Sequence, residues 1–301
     1  MIYTLTLNPA LDYVMDVENI VFNSTNRSSF EGVSFGGKGI NVSVVLSRLG
    51  ISTTALGFAA GFTGKELEKA ISLEGINADF TELSSGMTRI NVKLNSGGSI
   101  TEINSSGPKV EESDLRALYV KFDEISSGDT LVLAGSIPKG ADSGIYSDIM
   151  SYLSDKNIRF VVDATGKALL ETLKYKPFLI KPNRDELQDL FGVTLSDDEQ
   201  IIGCATKLKN MGAQNVLVSL GKDGAILLDG DGNLHKYKSH KITPKNTVGA
   251  GDSMVAGFIA GVDKGYEYAL RLGIASGAAT AASETLAQKD EILKFMDEWV
   301  D

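Results

Sequence analysis

Short apolar runs at 131–135, 160–163, 178–180 and 216–220 are each bounded by Gly, Pro or Asp, and they alternate with stretches whose apolar residues fall at helical spacing. The helical sets are Leu115, Leu118, Tyr119, Phe122 and Ile125; Ile145, Ile149, Tyr152 and Leu153; and Ile201, Ile202, Ala205 and Leu208. Each set lays one apolar stripe on one helix face. Buried strands separated by amphipathic helices build a mainly parallel sheet covered on both sides, so the fold class is α/β. In such sheets ligands bind beyond the carboxyl ends of the strands. The polar residues that follow the strands are therefore where chemistry is expected: Ser136 and Lys139, Asp163, Lys181 and Asn183, Ser219 and Lys222.

Two segments, 12–35 and 86–104, break this alternation with strand-like patterns such as Arg89-Ile90-Asn91-Val92-Lys93-Leu94 and Ser99-Ile100-Thr101-Glu102-Ile103. The second segment reads as a hairpin turned at Ser96-Gly97-Gly98. Strands inserted into a βα series fit a parallel sheet poorly, so both segments are expected to form one small accessory sheet beside the ligand-binding edge. It is either a lid or a static edge extension. Near the carboxyl end, 272–283 is almost entirely small residues, which lets a neighbouring helix or the flat face of a base approach closely. Ile292, Phe295, Met296 and Trp299 form a core-facing stripe on a terminal helix. With no solenoid repeat, low-complexity tract or linker, residues 1–301 read as one domain.

Charge and cysteine content narrow the function. A net charge of −10 argues against nucleic acid as a partner. One cysteine, Cys204, excludes an internal disulfide, and with His235 and His240 alone no Cys/His zinc site can be assembled. Residues 1–7 read at once as a strand without a basic leader, and no apolar run approaches the roughly 18 residues of a membrane span. A cytoplasmic setting with no membrane partner is expected.

The stretch 246–258, Asn-Thr-Val-Gly-Ala-Gly-Asp-Ser-Met-Val-Ala-Gly-Phe, leads into a run of helical character over 253–262. Gly249, Ala250 and Gly251 then lie at a helix N-terminus, where unpartnered amides and the positive end of the dipole favour an anion such as phosphate. A carboxylate at Asp252 suits a base that accepts a proton from an attacking hydroxyl. In isolation it reads equally as an acidic first-turn residue stabilised by the dipole. Gly36-Gly37-Lys38-Gly39-Ile40-Asn41 opens another helical run, where bare backbone can close around a small polyol while Lys38 and Asn41 add a charge and an amide. Asn183 and Glu186 sit three apart at a helix start, placed to hold Mg²⁺ through water or simply to cap the helix. Ser219-Leu220-Gly221-Lys222-Asp223-Gly224 ends a buried strand as a phosphate-contacting turn or an ordinary one. Neither a P-loop nor a Gly-x-Gly-x-x-Gly after the first strand is present.

Taken in chain order, Asn8-Pro9-Ala10-Leu11-Asp12, the 36–41 motif, Lys181-Pro182-Asn183-Arg184-Asp185-Glu186, Ser219-Leu220-Gly221 and Gly249-Ala250-Gly251-Asp252 resemble the ribokinase-like (PfkB) carbohydrate kinases along the whole chain. The resemblance implies a three-layer α/β/α fold with a small β-sheet lid, and an ATP-dependent phosphosugar kinase with Mg²⁺. The motifs are most similar to those of the branch acting on fructose 1-phosphate, with tagatose 6-phosphate as the alternative substrate. A non-catalytic sugar or nucleotide sensor is a more distant reading. By resemblance, Asp252 is the base and Gly249, Ala250 and Gly251 the anion hole. Asp12, Gly37 and Asn41 hold sugar hydroxyls; Arg89 and Lys38, with Arg27 or Lys139, hold the sugar phosphate. Asn183 and Glu186 organise Mg²⁺ through water, and Asn183, Ser219, Gly221 and Gly224 touch ATP. The lid is expected to pair subunits into a homodimer. From its helix-terminus position Asp252 is expected to be ionised at neutral pH and to be a weak base.

Overall fold

The computed structural model describes residues 1–299. The chain runs β1 (Ile2–Thr6), β2 (Ala10–Val17), β3 (Phe30–Gly36), α1 (Lys38–Arg48), β4 (Thr53–Ala60), α2 (Gly61–Leu73), β5 (Asn77–Leu83), β6 (Arg89–Ser96) and β7 (Ser99–Ile103). It continues α3 (Glu112–Lys121), β8 (Thr130–Ala134), α4 (Ile145–Tyr152), β9 (Arg159–Asp163), α5 (Gly166–Thr172), β10 (Leu179–Ile180), α6 (Arg184–Phe191), α7 (Asp198–Asn210) and β11 (Asn215–Ser219). Last come β12 (Ala225–Leu228), β13 (Leu234–Tyr237), α8 (Ala250–Gly261), α9 (Tyr266–Ala282) and α10 (Lys289–Asp297).

Nine strands form one sheet in the order β13-β12-β11-β10-β9-β8-β1-β4-β5. Every pairing from β5 across to β11 is parallel, and β12 and β13 add an antiparallel hairpin at one edge. Strand alternation divides the core into two layers. Leu131, Leu133 and Val162 face α3 to α7 on one side, whereas Val132, Ala134 and Val161 face α1 and α8 to α10 on the other. The result is the three-layer arrangement expected from the apolar runs. Strand order reverses at β1, which has β4 on one side and β8 on the other, so the loops leaving β1 and β8 diverge and open a crevice. No helix among the described residues is long and apolar enough to cross a membrane.

The segments that broke the alternation form a separate four-stranded sheet, β3-β2-β6-β7. Its hairpin turns at Gly97 and Gly98, whose φ values of 55° and 79° are those of the tight turn suited to twisted strands. β2 and β6 pair in parallel, joining the two inserted segments. The small-residue run is α9, packed along α8. A Cβ on Gly257 would lie 2.5 Å from the Leu272 carbonyl oxygen, and one on Gly277 would lie 3.0 Å from that of Ala250. The neighbour is thus a helix, and Ile274, Ala278 and Ala281 of the same run also line the cleft.

Candidate active site

A cleft of about 1650 Å³ lies between the carboxyl edge of the large sheet and the small one. A single drug-sized ligand occupies roughly 300–1,000 Å³, so this volume accommodates two substrates together. Of the residues singled out from the sequence, Asp12, Gly37, Lys38, Asn41, Arg89, Asn183, Glu186, Ser219, Gly221, Gly249, Ala250, Gly251 and Asp252 all line it.

The start of α8 forms the floor. The helix begins three residues earlier than the periodicity suggests, at Ala250, so Asp252 falls in its first turn. Gly249 caps it in the left-handed region at φ 79°, where a Cβ would also sit 2.5 Å from Leu286 Cδ2. Ala250 N–H bonds to the Thr247 carbonyl, and Ser253 N–H to that of Gly249. Among the described residues the Gly251 and Asp252 amides meet no such acceptor, which leaves them to an anion. α1 begins beside it, because Gly39 lets the helix approach β1 where a Cβ would meet Thr6 Oγ1 at 2.6 Å. Asn41 then donates to Asp252 Oδ2 at 2.8 Å.

Asp252 is buried, and that burial, followed by the negative charge of Asp163, pushes its carboxyl up to about 6; Asn41, Lys38 and Lys181 pull the other way. This corrects the expectation of a weak base drawn from helix position. Desolvation and a like charge outweigh the dipole, leaving a carboxylate that is still ionised at neutral pH but binds a proton far more readily.

Asp163, 1% exposed at the end of β9, places Oδ1 3.3 Å from Lys38 Nζ and 3.5 Å from Lys181 Nζ. Burial opposes the charge of Lys38, but Asp163, Asp252 and Glu186 together hold it above the usual lysine value. The floor therefore alternates two buried carboxylates with two ammonium groups. Asp163 and Lys181 had been marked only as residues after strands, without a role.

Elsewhere along the cleft, Asn183 and Glu186 cap α6 reciprocally. Asn183 Oδ1 accepts from Glu186 N–H, and Glu186 Oε2 accepts from Asn183 N–H, both at 2.8 Å. The capping reading is thus correct in geometry, and it holds the carboxylate at the cleft with its second oxygen uncommitted. Asn183 bridges to Ser219, uniting the two loops. Among the described residues no group of three or more His, Cys, Asp or Glu side chains is gathered to hold a metal.

On the small sheet Asn91 donates to Asp12 Oδ1 at 2.9 Å, and Lys93 lies 2.8 Å from Asp12 Oδ2. Arg89 donates through Nε to the Asn8 carbonyl at 3.1 Å and through Nη1 to that of Ser105 at 3.3 Å; burial lowers its pKa against the opposing influence of Asp12. Asn91 and Lys93 received no role from the sequence, although the alternation Arg89-x-Asn91-x-Lys93 already places all three on one strand face.

Three residues assigned from the sequence lie outside the cleft lining. Lys139 is exposed on the loop after β8, outside the cleft lining, with its carbonyl bonded to Val110 N–H. Arg27, the other cation considered, is also exposed outside the lining. Gly224 does not line the cleft either. Its N–H is spent on the Gly221 carbonyl, and at φ 95° a Cβ would meet the Tyr237 carbonyl oxygen at 2.0 Å, so this glycine serves the β11–β12 turn.

Open amides at a helix start, ammonium groups beside them and a buried carboxylate of raised pKa suit the movement of a phosphoryl group onto an alcohol, and the protein is a phosphotransferase of the small-molecule kinase class. The model of the pfkB family carbohydrate kinases matches residues 5–291, and the chain belongs to that family. It is 42% identical to the 1-phosphofructokinase of Bacillus subtilis, over 99% of this chain and 98% of that protein. It is 36% identical to the D-tagatose-1-phosphate kinase of Bacillus licheniformis, over 97% and 96%. Among solved structures, phosphofructokinase-2 from Escherichia coli in complex with substrates and products superposes with a TM-score of 0.93 at 32% identity, covering 99% of this chain and 98% of that one.

Proposed function

We propose that the chain is an ATP-dependent phosphosugar kinase that converts fructose 1-phosphate to fructose 1,6-bisphosphate in the cytoplasm. The observation that carries this reading is Asp252, held by Asn41 at the start of α8 in the same cleft as the polar row Asp12, Asn91 and Lys93. A hydroxyl held at that carboxylate would attack a γ-phosphoryl group held at the Gly251 and Asp252 amides. The sugar oxygen forms the new bond to phosphorus as the bond to the ADP oxygen breaks, and the hydroxyl proton passes to Asp252. The open amides of Gly251 and Asp252, with Lys38, take up charge on the transferred group, whereas the Ala250 amide expected in the anion hole is spent on the Thr247 carbonyl. Lys181 lies beside Gly251, where a Cβ would meet its Nζ at 3.3 Å, and has the same function. Asp12, Gly37 and Asn41 bind sugar hydroxyls. Arg89 binds the sugar phosphate and ties the lid to the loop after β1. Asn183, Ser219 and Gly221 contact the nucleotide.

Too few protein ligands converge for a direct metal cage, but one free oxygen on Glu186 fits an ion held chiefly by phosphates and water. When bound, Mg²⁺ neutralises the triphosphate; Glu186, with Asn183, orients its water shell.

The whole chain is read as one kinase domain with a discontinuous lid, 12–35 and 86–104, that excludes water from the reacting groups. Phe22, Phe30, Val33, Ile100 and Ile103 expose 56–87% of their surface on the lid segments, which supports a homodimer paired through them. The name of the tagatose-1-phosphate kinase relative supports a second substrate, a sugar differing from fructose in the orientation of one hydroxyl. It also makes tagatose 6-phosphate a weaker alternative than tagatose 1-phosphate. Release of ADP over a panel of phosphosugars tests the reading. Fructose 1-phosphate should give the highest kcat/KM; nucleotide binding without turnover of any sugar would refute an enzyme and favour a sensor.

A further inference from the structure

We propose that Lys93 is a specificity-determining residue that contacts the phosphate of the sugar substrate from the lid, an inference that rests on the phosphosugar-kinase reading above. β6 alternates its side chains, so Arg89, Asn91 and Lys93 share the cleft-facing side, in register with Ala10, Asp12 and Val14 of β2. Arg89 is the obvious phosphate ligand of the three. Two of its donors, however, are committed to main-chain carbonyls of Asn8 and Ser105. Lys93 is differently placed. Its side chain is 17% exposed, and of its three donors one reaches Asp12 Oδ2 at 2.8 Å.

The surroundings explain why an ammonium is needed there. Asp12 is 6% exposed, and Asn91 takes its other oxygen at 2.9 Å. Gly36 closes a third side, where a Cβ would lie 3.0 Å from both carboxylate oxygens. Without Lys93 a phosphate dianion entering the cleft would face a bare buried carboxylate, and repulsion at low dielectric is strong. Glu102, the cross-strand partner of Lys93 on β7, is exposed at the rim and adds a further negative charge. A hydroxyl or amide donor would satisfy Asp12 equally well for an uncharged sugar. A cation does so and keeps two donors for the phosphate.

The test compares wild type, Lys93→Met and Lys93→Arg, each alone and in an Asp12→Asn background, with a phosphosugar and the same sugar lacking phosphate at saturating ATP. Lys93→Met should raise KM for the phosphosugar about 10- to 100-fold, the loss of a charged hydrogen bond. The KM for ATP should stay unchanged and kcat should stay within about 3-fold. Lys93→Arg should recover most of the loss. The discrimination between phosphorylated and unphosphorylated sugar should fall by about 10-fold or more, a ratio that simple loosening of Asp12 does not move. Because Lys93→Met leaves Asp12 unpaired and endangers folding, the double variant decides between the roles. If Lys93 serves only Asp12, adding Lys93→Met to Asp12→Asn costs nothing further and the proposal is overturned. Should wild type turn over no phosphosugar, the enzyme reading fails by itself. Thermal stabilisation by the phosphosugar panel then decides on Lys93: stabilisation of wild type but not of Lys93→Met supports it, and no stabilisation of wild type overturns it.

Discussion

Replacing Asp252 with asparagine should make the protein inactive and more stable at once. The folded-state pKa of about 6 lies above the ordinary 3.8, because burial and Asp163 disfavour the charge. The native state thus binds a proton more tightly than the unfolded chain, and stability falls as pH rises through the window from about 4 to about 6. Above it the ionised carboxylate carries its full cost. The difference between 3.8 and about 6, at about 1.4 kcal/mol per pH unit, corresponds to about 3 kcal/mol at neutral pH. In Asp252→Asn the carboxamide oxygen still accepts from Asn41 Nδ2 while the charge facing Asp163 is gone, so the variant recovers most of that amount. For 301 residues the unfolding entropy is about 0.6 kcal/mol per kelvin, giving a rise in Tm of about 5 °C. Calorimetry at pH 7.5 and pH 4.5, paired with kcat, reads both halves. The gain should be large at the higher pH and shrink to well under half at the lower one, while kcat falls at least about 100-fold. A variant no more stable than wild type, or a gain independent of pH, would refute the claim that Asp252 is held charged against its surroundings.

Other outcomes follow from the same geometry. The acid limb of kcat/KM should titrate near pH 6, since Asp252 accepts a proton only when ionised; a limb near pH 4 would mean that burial and Asp163 do not tune it. Glu186→Gln should raise the Mg²⁺ concentration needed for half-maximal rate several-fold, with a loss of stability below about 1 kcal/mol because an amide still closes the capping box; an unchanged Mg²⁺ dependence would leave Glu186 a cap alone. Phe22→Asp with Ile100→Asp should shift sedimentation from dimer to monomer at little cost to the fold, both positions being 71% exposed or more; an unaltered oligomer would move the interface elsewhere.

What could be read in advance followed physical locality. Strands buried on both faces declare themselves as apolar runs, and the glycines before α1 and α8 declare their helix starts, because both depend on neighbours in the chain. The hairpin of the small sheet was legible for the same reason, through Gly97 and Gly98. The ion-pair network was not. Lys38 and Asp163 lie 125 residues apart and meet only because β1, β8 and β9 are adjacent in the sheet. The same cause hid the tuning of Asp252, whose helix-terminus position is local while the opposing charge is distant. Lys139 and Gly224 were misjudged because a cation or glycine after a strand has two directions to face, and here each faces away from the cleft.

The seam between α8 and α9 carries a consequence for how this protein can change over generations. Gly257 and Gly273 bring the two backbones together, and a single added methyl would meet the Leu272 carbonyl at 2.5 Å or that of Met254 at 2.9 Å. Side chains there have nowhere to grow, so the wall that carries Asp252 is closed to gradual alteration. On the small sheet opposite, much of β3 and β7 is exposed and lies clear of that seam. Substitution therefore meets less backbone resistance on the small sheet than along this seam, where altering the start of α8 would require both helices to be rebuilt together.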